Sequence, residues 1–101
     1  MHKIQILVIG RDAMIVATVE RLINNNPAWQ ATACLTDDEA LNACDRQPFD
    51  LVLLGGGIDE ASDTYLRQTI TARCPGTTII QHYGGGSGLL ATEINMALAG
   101  L

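Results

Sequence analysis

The sequence predicts an α/β fold: a three-layer αβα domain around an open parallel sheet of four strands in the order 2-1-3-4. Three observations predict it. Apolar runs of strand length alternate with amphipathic stretches of helix length, strand before helix, along the whole chain. The run Phe49-Asp50-Leu51-Val52-Leu53-Leu54 is apolar enough for a strand buried on both faces, which is the habit of parallel sheets. Connections are short and right-handed crossovers prune the topology; a first strand in the middle, a second on one side and the third and fourth on the other would give the order 2-1-3-4. The strand order then reverses between the first and third strands, in a crevice lined by Gly10, Arg11, Asp12 and Gly55 to Gly57.

Each element has a local reason. Ile4 to Ile9 is the first strand, ended by Gly10, and Asp12 is placed to cap the helix that follows. That helix runs from about Ala13 to Asn25, with Ile15, Val19, Leu22 and Ile23 at the spacing of one apolar face. Asn24-Asn25-Asn26-Pro27 stops it, since asparagine tolerates left-handed geometry and proline cannot continue a helix. Trp29 to Leu35 is a second, more polar strand of edge character. Thr36-Asp37-Asp38-Glu39 is a capping-box pattern, and it opens a short helix with Ala40, Leu41 and Cys44 that ends before Pro48.

After the central strand and Gly55 to Gly57, Asp59 or Ser62 caps a third helix on which Leu66, Ile70 and Cys74 stack. Pro75-Gly76 ends it. Thr77 to Gln81 is the fourth strand. The segment His82-Tyr83-Gly84-Gly85-Gly86-Ser87-Gly88 leads to a last helix from Leu89 to about Ala99, with Ser87 as its cap and Leu90, Ile94 and Leu98 on its apolar face.

Composition narrows the function classes. A chain of 101 residues makes one domain, residues 1–101, and 48% hydrophobic against 17% charged residues suits a packed core. The net charge is −5 with only six basic residues, whereas a nucleic-acid binder normally shows a basic face, so nucleic acid is not an expected partner. No apolar run is long enough for a membrane span, and the start carries no signal-peptide pattern. Three widely spaced cysteines, Cys34, Cys44 and Cys74, read as reduced core thiols and point to the cytoplasm.

Two stretches carry a family resemblance. Lys3-Ile4-Gln5-Ile6-Leu7-Val8-Ile9 leading into a helix, and Asp50-Leu51-Val52-Leu53-Leu54, resemble the first and central strands of bacterial response regulator receiver domains, of flavodoxin-like fold. The resemblance covers residues from about 3 to 82. It implies a pair of Mg²⁺-holding acids after the first strand, where this chain has Gly10 and Arg11, with Asp12 one place later. It implies a phospho-acceptor aspartate where Gly55 stands, and a Ser or Thr near His82 or Tyr83. The family's lysine after strand 5 has no counterpart, since Lys3 is the only lysine. The stretch that should hold helix 4 and strand 5 is also short. The chain therefore reads as a truncated, degenerate receiver. Without nucleophile or metal-binding acids, phosphorylation of the usual kind is not expected.

The expected work is non-catalytic protein interaction in bacterial signalling. A fourth strand left at the sheet edge, Thr78, Ile79, Ile80, Gln81 and His82, is suited to pairing with a partner or with a second copy as a homodimer; the last helix is the other dimer surface. The alternative is a small anion or nucleotide site built from Gly10, Arg11, Asp12, Gly55, Gly56, Gly57, Gly84, Gly85, Gly86 and Ser87, because glycine amides and a helix N-terminus suit phosphate. The same glycines also serve as plain turns. No P-loop or dinucleotide fingerprint is complete. No cofactor, metal or enzymatic activity is expected. His82 and Tyr83 point to opposite faces of a strand, and Asp37-Asp38 and Asp59-Glu60 lie where helix N-termini favour negative charge.

Overall fold

Isoleucine, leucine and valine at successive positions give a strand apolar on both sides, and the computed structural model, which describes residues 3–81 and 89–99, buries both sides. The element order is β1 (Ile4–Ile9), α1 (Ala13–Asn24), β2 (Trp29–Cys34), α2 (Asp37–Arg46), β3 (Leu51–Leu54), α3 (Glu60–Arg73), β4 (Thr78–Gln81) and α4 (Leu89–Ala99). The strands are all parallel and lie in the order β2-β1-β3-β4. This is the predicted α/β architecture.

The pleat divides the core. Ile6, Val8, Leu51 and Leu53 face α1 and α4, where they meet Val16, Val19, Ile23 and Ile94. Leu7, Ile9, Val52 and Leu54 face α2 and α3, where they meet Ala40, Leu41, Cys44, Leu66 and Ile70. β4 contributes Ile80 to the first side and Ile79 to the second, both only half-buried, as expected at an edge.

Caps fix where the helices begin. The Asp12 carboxylate accepts from the Met14 and Ile15 amides at 3.0 and 3.1 Å. Thr36 and Glu39 form a full capping box. Asp59, not Ser62, caps α3, and the Ser62 amide donates to it at 2.7 Å.

Several expectations are corrected. α1 buries Val16, Val19 and Ile23, whereas Ile15, assigned to its apolar face, is 41% exposed. Asn25 ends α1 in right-handed geometry, and no described non-glycine residue has a positive φ. Asn24 and Asn26 act through their side-chain oxygens instead, accepting from the Ala31 and Ala28 amides, both at 2.8 Å. β2 stops at Cys34 and β4 starts at Thr78, each one residue short of the expected span. Gln47 caps α2 in extended geometry, the conformation that the following Pro48 enforces. Ser87, the expected cap of α4, lies outside the described residues.

Candidate functional site

The crevice at the carboxyl ends of β1 and β3 is built from close backbone approach. Ile9 pairs with Leu54, so Gly10 and Gly55 follow side by side. The Gly55 amide donates to the Ile9 carbonyl at 2.7 Å, and the Gly10 amide donates to the Cys34 carbonyl at 3.1 Å. A Cβ on Gly10 would stand 2.5 Å from Cγ2 of Val16, a stiff β-branched side chain. A Cβ on Gly55 would stand 3.2 Å from the Ile9 carbonyl oxygen. These two glycines let the loops and α1 close on one another.

Arg11 crosses this crevice. Its Nη1 donates to the Leu35 carbonyl at 3.0 Å, and its Nη2 pairs with Asp37 Oδ1 at 2.5 Å. Its stem passes over Gly57, whose φ of +82° is a conformation that side chains rarely adopt and where a Cβ would press on the arginine's own Cβ at 3.1 Å. One side chain therefore joins the loops after β1, β2 and β3. The guanidinium that the sequence offers to an anion is held by Asp37 and Leu35. Sequence reasoning assigns Asp37 to the helix N-terminus alone and misses this pairing, which spans 26 residues of chain.

The carboxylates here are capping groups. Glu39 accepts from the Leu35 and Thr36 amides at 2.9 and 3.2 Å. Asp59 has its carboxyl held below the usual range, first by the Ser62 amide and further by Arg11. Among the described residues no group of three or more His, Cys, Asp or Glu side chains is arranged to hold a metal ion. A cavity of about 600 Å³ opens beside α1, with Val8, Val16 and Leu53 behind it, Ile15 at its side and Gly55–Gly57 across from them.

Charge at the helix termini is partly sorted along the strand direction, with Asp45, paired with Arg73, and Asp50 at the end where the basic residues gather. Asp12, Asp37, Asp38, Glu39, Asp59, Glu60 and Asp63 all stand at helix N-termini, hence at the carboxyl end of the sheet. Arg21, Arg46 and Arg73 stand in last turns, and Lys3 precedes β1, so these four lie at the opposite end. Helix dipoles favour each placement, and a parallel sheet adds them up.

No protein-family model and no curated protein sequence matches the chain. Solved structures do. A chain of the complex between the phosphorylated P1 domain of CheA3 and CheY6 from R. sphaeroides superposes with a TM-score of 0.71 at 19% identity, covering 94% of this chain and 96% of that one. A CheY-like response regulator receiver domain from Methylobacillus flagellatus superposes with a TM-score of 0.65 at 18% identity, covering 92% of this chain and 80% of that one. The fold is that of a receiver domain. The receiver-like fold also matches a chain of an adenylate cyclase from Rhodopirellula baltica, with a TM-score of 0.70 at 19% identity over 97% of this chain and 70% of that one.

The remaining expected site residues divide in two. Thr78, Ile79, Ile80 and Gln81 form β4, which pairs with β3. His82, Gly84, Gly85, Gly86 and Ser87 lie outside the described residues. Of the cysteines, Cys34 and Cys44 are core residues, and burial pushes both thiols up to about 11. No described helix is long and apolar enough to cross a membrane.

Proposed function

We propose that this receiver-like chain is a non-catalytic module that works through protein contacts in bacterial signalling, without accepting a phosphoryl group. The observation that carries this reading is the Arg11 bridge to Asp37 and Leu35, set between Gly10 and Gly55. Phosphoryl transfer needs a nucleophile and a cation to offset developing charge. By the receiver resemblance the acceptor position falls on Gly55, and the Arg11 guanidinium neutralises a carboxylate of the chain itself. Among the described residues, phosphate or a nucleotide would also meet seven carboxylates at this end, where the basic residues Arg11 and Arg67 are already paired with Asp37 and Asp63. The test is an amide-resolved NMR titration with Mg²⁺ and beryllium fluoride, and then with phosphate and nucleotides. No saturable shift at residues 10–12 and 55–57 is expected; a saturable shift there would overturn the reading.

Self-association through β4 or α4 belongs to the same proposal. The Thr78 amide donates to the carbonyl of Asp50, just before β3, so in the alternating parallel ladder the Ile79 amide is turned away from β3. A second copy could take that amide in an isologous pair. Sedimentation velocity over a concentration series reports the dimer. Exchange protection of the Ile79 amide that rises with concentration assigns the dimer to β4. A monomer at every concentration would remove self-association from the proposal.

A further inference from the structure

We propose that Cys44 and Cys74 form a redox-active thiol pair, which a low-molecular-weight disulfide such as glutathione disulfide closes into a bond between α2 and α3. The proposal goes beyond the interaction reading and uses none of the residues on which that reading rests. Cys44 lies in the last turn of α2, and Cys74 is the residue that ends α3. Both side chains pack in one cluster on the same side of the sheet, with Leu41, Leu66 and Ile70. Their sequence neighbours are joined, since Arg73 Nη1 donates to Asp45 Oδ2 at 2.7 Å. The shared cluster and the ion pair bring these two helix ends together. Electrostatics agrees: Cys74 acts on the Cys44 thiol more strongly than Cys34, Asp45 or Arg73 does. Cys34 is set apart, because it ends β2 at the carboxyl end of the sheet, whereas α2 and α3 finish at the opposite end.

Access sets the order of steps. Cys74 is half-buried and Cys44 is buried, so Cys74 meets the oxidant first. Its thiol gives its proton to solvent, and its sulfur attacks one sulfur of glutathione disulfide. That S–S bond breaks, and one glutathione leaves with the electron pair and takes up a proton. Cys44, whose thiol burial pushes up to about 11, then loses its proton and attacks the Cys74 sulfur of the mixed disulfide. The second glutathione leaves in the same way. The two cysteine thiols are thereby oxidised to one disulfide, and one glutathione disulfide is reduced to two thiols. Cys74 has already left helical geometry, with φ −134° and ψ 75°, and Pro75-Gly76 follow it, so its sulfur can approach Cys44 without unwinding α3.

The experiment equilibrates the full native chain with a series of glutathione redox mixtures, blocks the remaining free thiols and measures the mass. The oxidised product is expected to be a monomer that has lost two hydrogens and carries no glutathione. In the Cys34→Ala variant the bond should join the tryptic peptides Leu22 to Arg46 and Cys74 to Leu101, each of which then holds one cysteine. Cys44→Ala and Cys74→Ser should each lose the intramolecular bond, and Cys44→Ala should stop with one glutathione on Cys74. The thermal midpoint of the oxidised chain should rise by several degrees, because the bond closes a loop of about 30 residues in the unfolded chain, and a reductant should reverse the rise. A bond between Cys34 and Cys44, a bond formed only in denaturant, a wild-type Cys74 that keeps its glutathione, a lowered midpoint, or an unchanged mass would each overturn the proposal.

Discussion

Arg11 lies across Gly57 so closely that a Cβ on the glycine would stand 3.1 Å from the arginine's own Cβ and 3.5 Å from its Cγ. The loops after β1 and β3 are thereby packed together where the receiver resemblance would place acids and a phospho-acceptor. The contact, with the Asp37 pair beyond it, ties the three loops together along the wall of the cavity that Gly10, Arg11 and Gly55–Gly57 line.

Gly57→Ala should destabilise the fold by about 1–2 kcal/mol, because it adds a left-handed penalty to a tight contact. Gly56→Ala is the control: a Cβ there meets nothing within 4 Å, and its φ is not positive. Urea denaturation of the pair should move the midpoint for Gly57→Ala and leave Gly56→Ala close to wild type. Equal effects would deny that the Arg11 contact matters.

Arg11→Ala removes a hydrogen bond to the Leu35 carbonyl and an ion pair in which both side chains are about a quarter exposed. Partial exposure screens the pair, so a loss of about 1 kcal/mol is expected. Arg11→Lys should recover only part of it, since one ammonium cannot reproduce a planar fork aimed at two acceptors. Hydrogen exchange should quicken around Leu35 and Asp37 in both variants; unchanged exchange would show that Arg11 does not hold the β2–α2 loop.

Gly10→Asp, which returns a carboxylate to one position of the family's acid pair, should cost about 1–3 kcal/mol by overpacking, because the new Cβ meets Val16 Cγ2 at 2.5 Å. Adding Val16→Ala should recover part of the loss in that background, although the same change alone destabilises. The double-mutant cycle, followed by thermal unfolding, isolates this coupling. Strict additivity would mean that the two positions do not meet.

The Cys34 and Cys44 thiols sit at about 11, raised from 9.0 chiefly by burial. A thiol whose folded pKa lies above its unfolded value contributes stability that is complete below the unfolded value. Stability should thus fall as pH rises from about 9 towards 11, as the unfolded chain releases these protons first. Calorimetry from pH 8 upwards checks the sign, and a Cys34→Ala, Cys44→Ala double variant should show a shallower decline. An identical slope would assign the alkaline loss to other groups.

The sequence by itself determined the alternation of strand and helix, for this follows from local pattern; the order 2-1-3-4, and with it the crevice between β1 and β3, was expected from connection rules and is the order the sheet adopts. Buried strands announce themselves as unbroken apolar runs, as Leu51–Leu54 does, and helix starts by capping residues such as Asp12, Thr36 and Asp59. Only the tertiary structure decided what the crevice residues do. Arg11 finds Asp37 across 26 residues, and Gly10 is required by Val16 of a helix folded back upon it. Ile15 falls on an apolar stripe by spacing, yet it lies in the first turn of α1, half-exposed in the wall of the cavity. Spacing fixes which side of a helix is apolar; where that side runs out of sheet to cover depends on how the helix is docked.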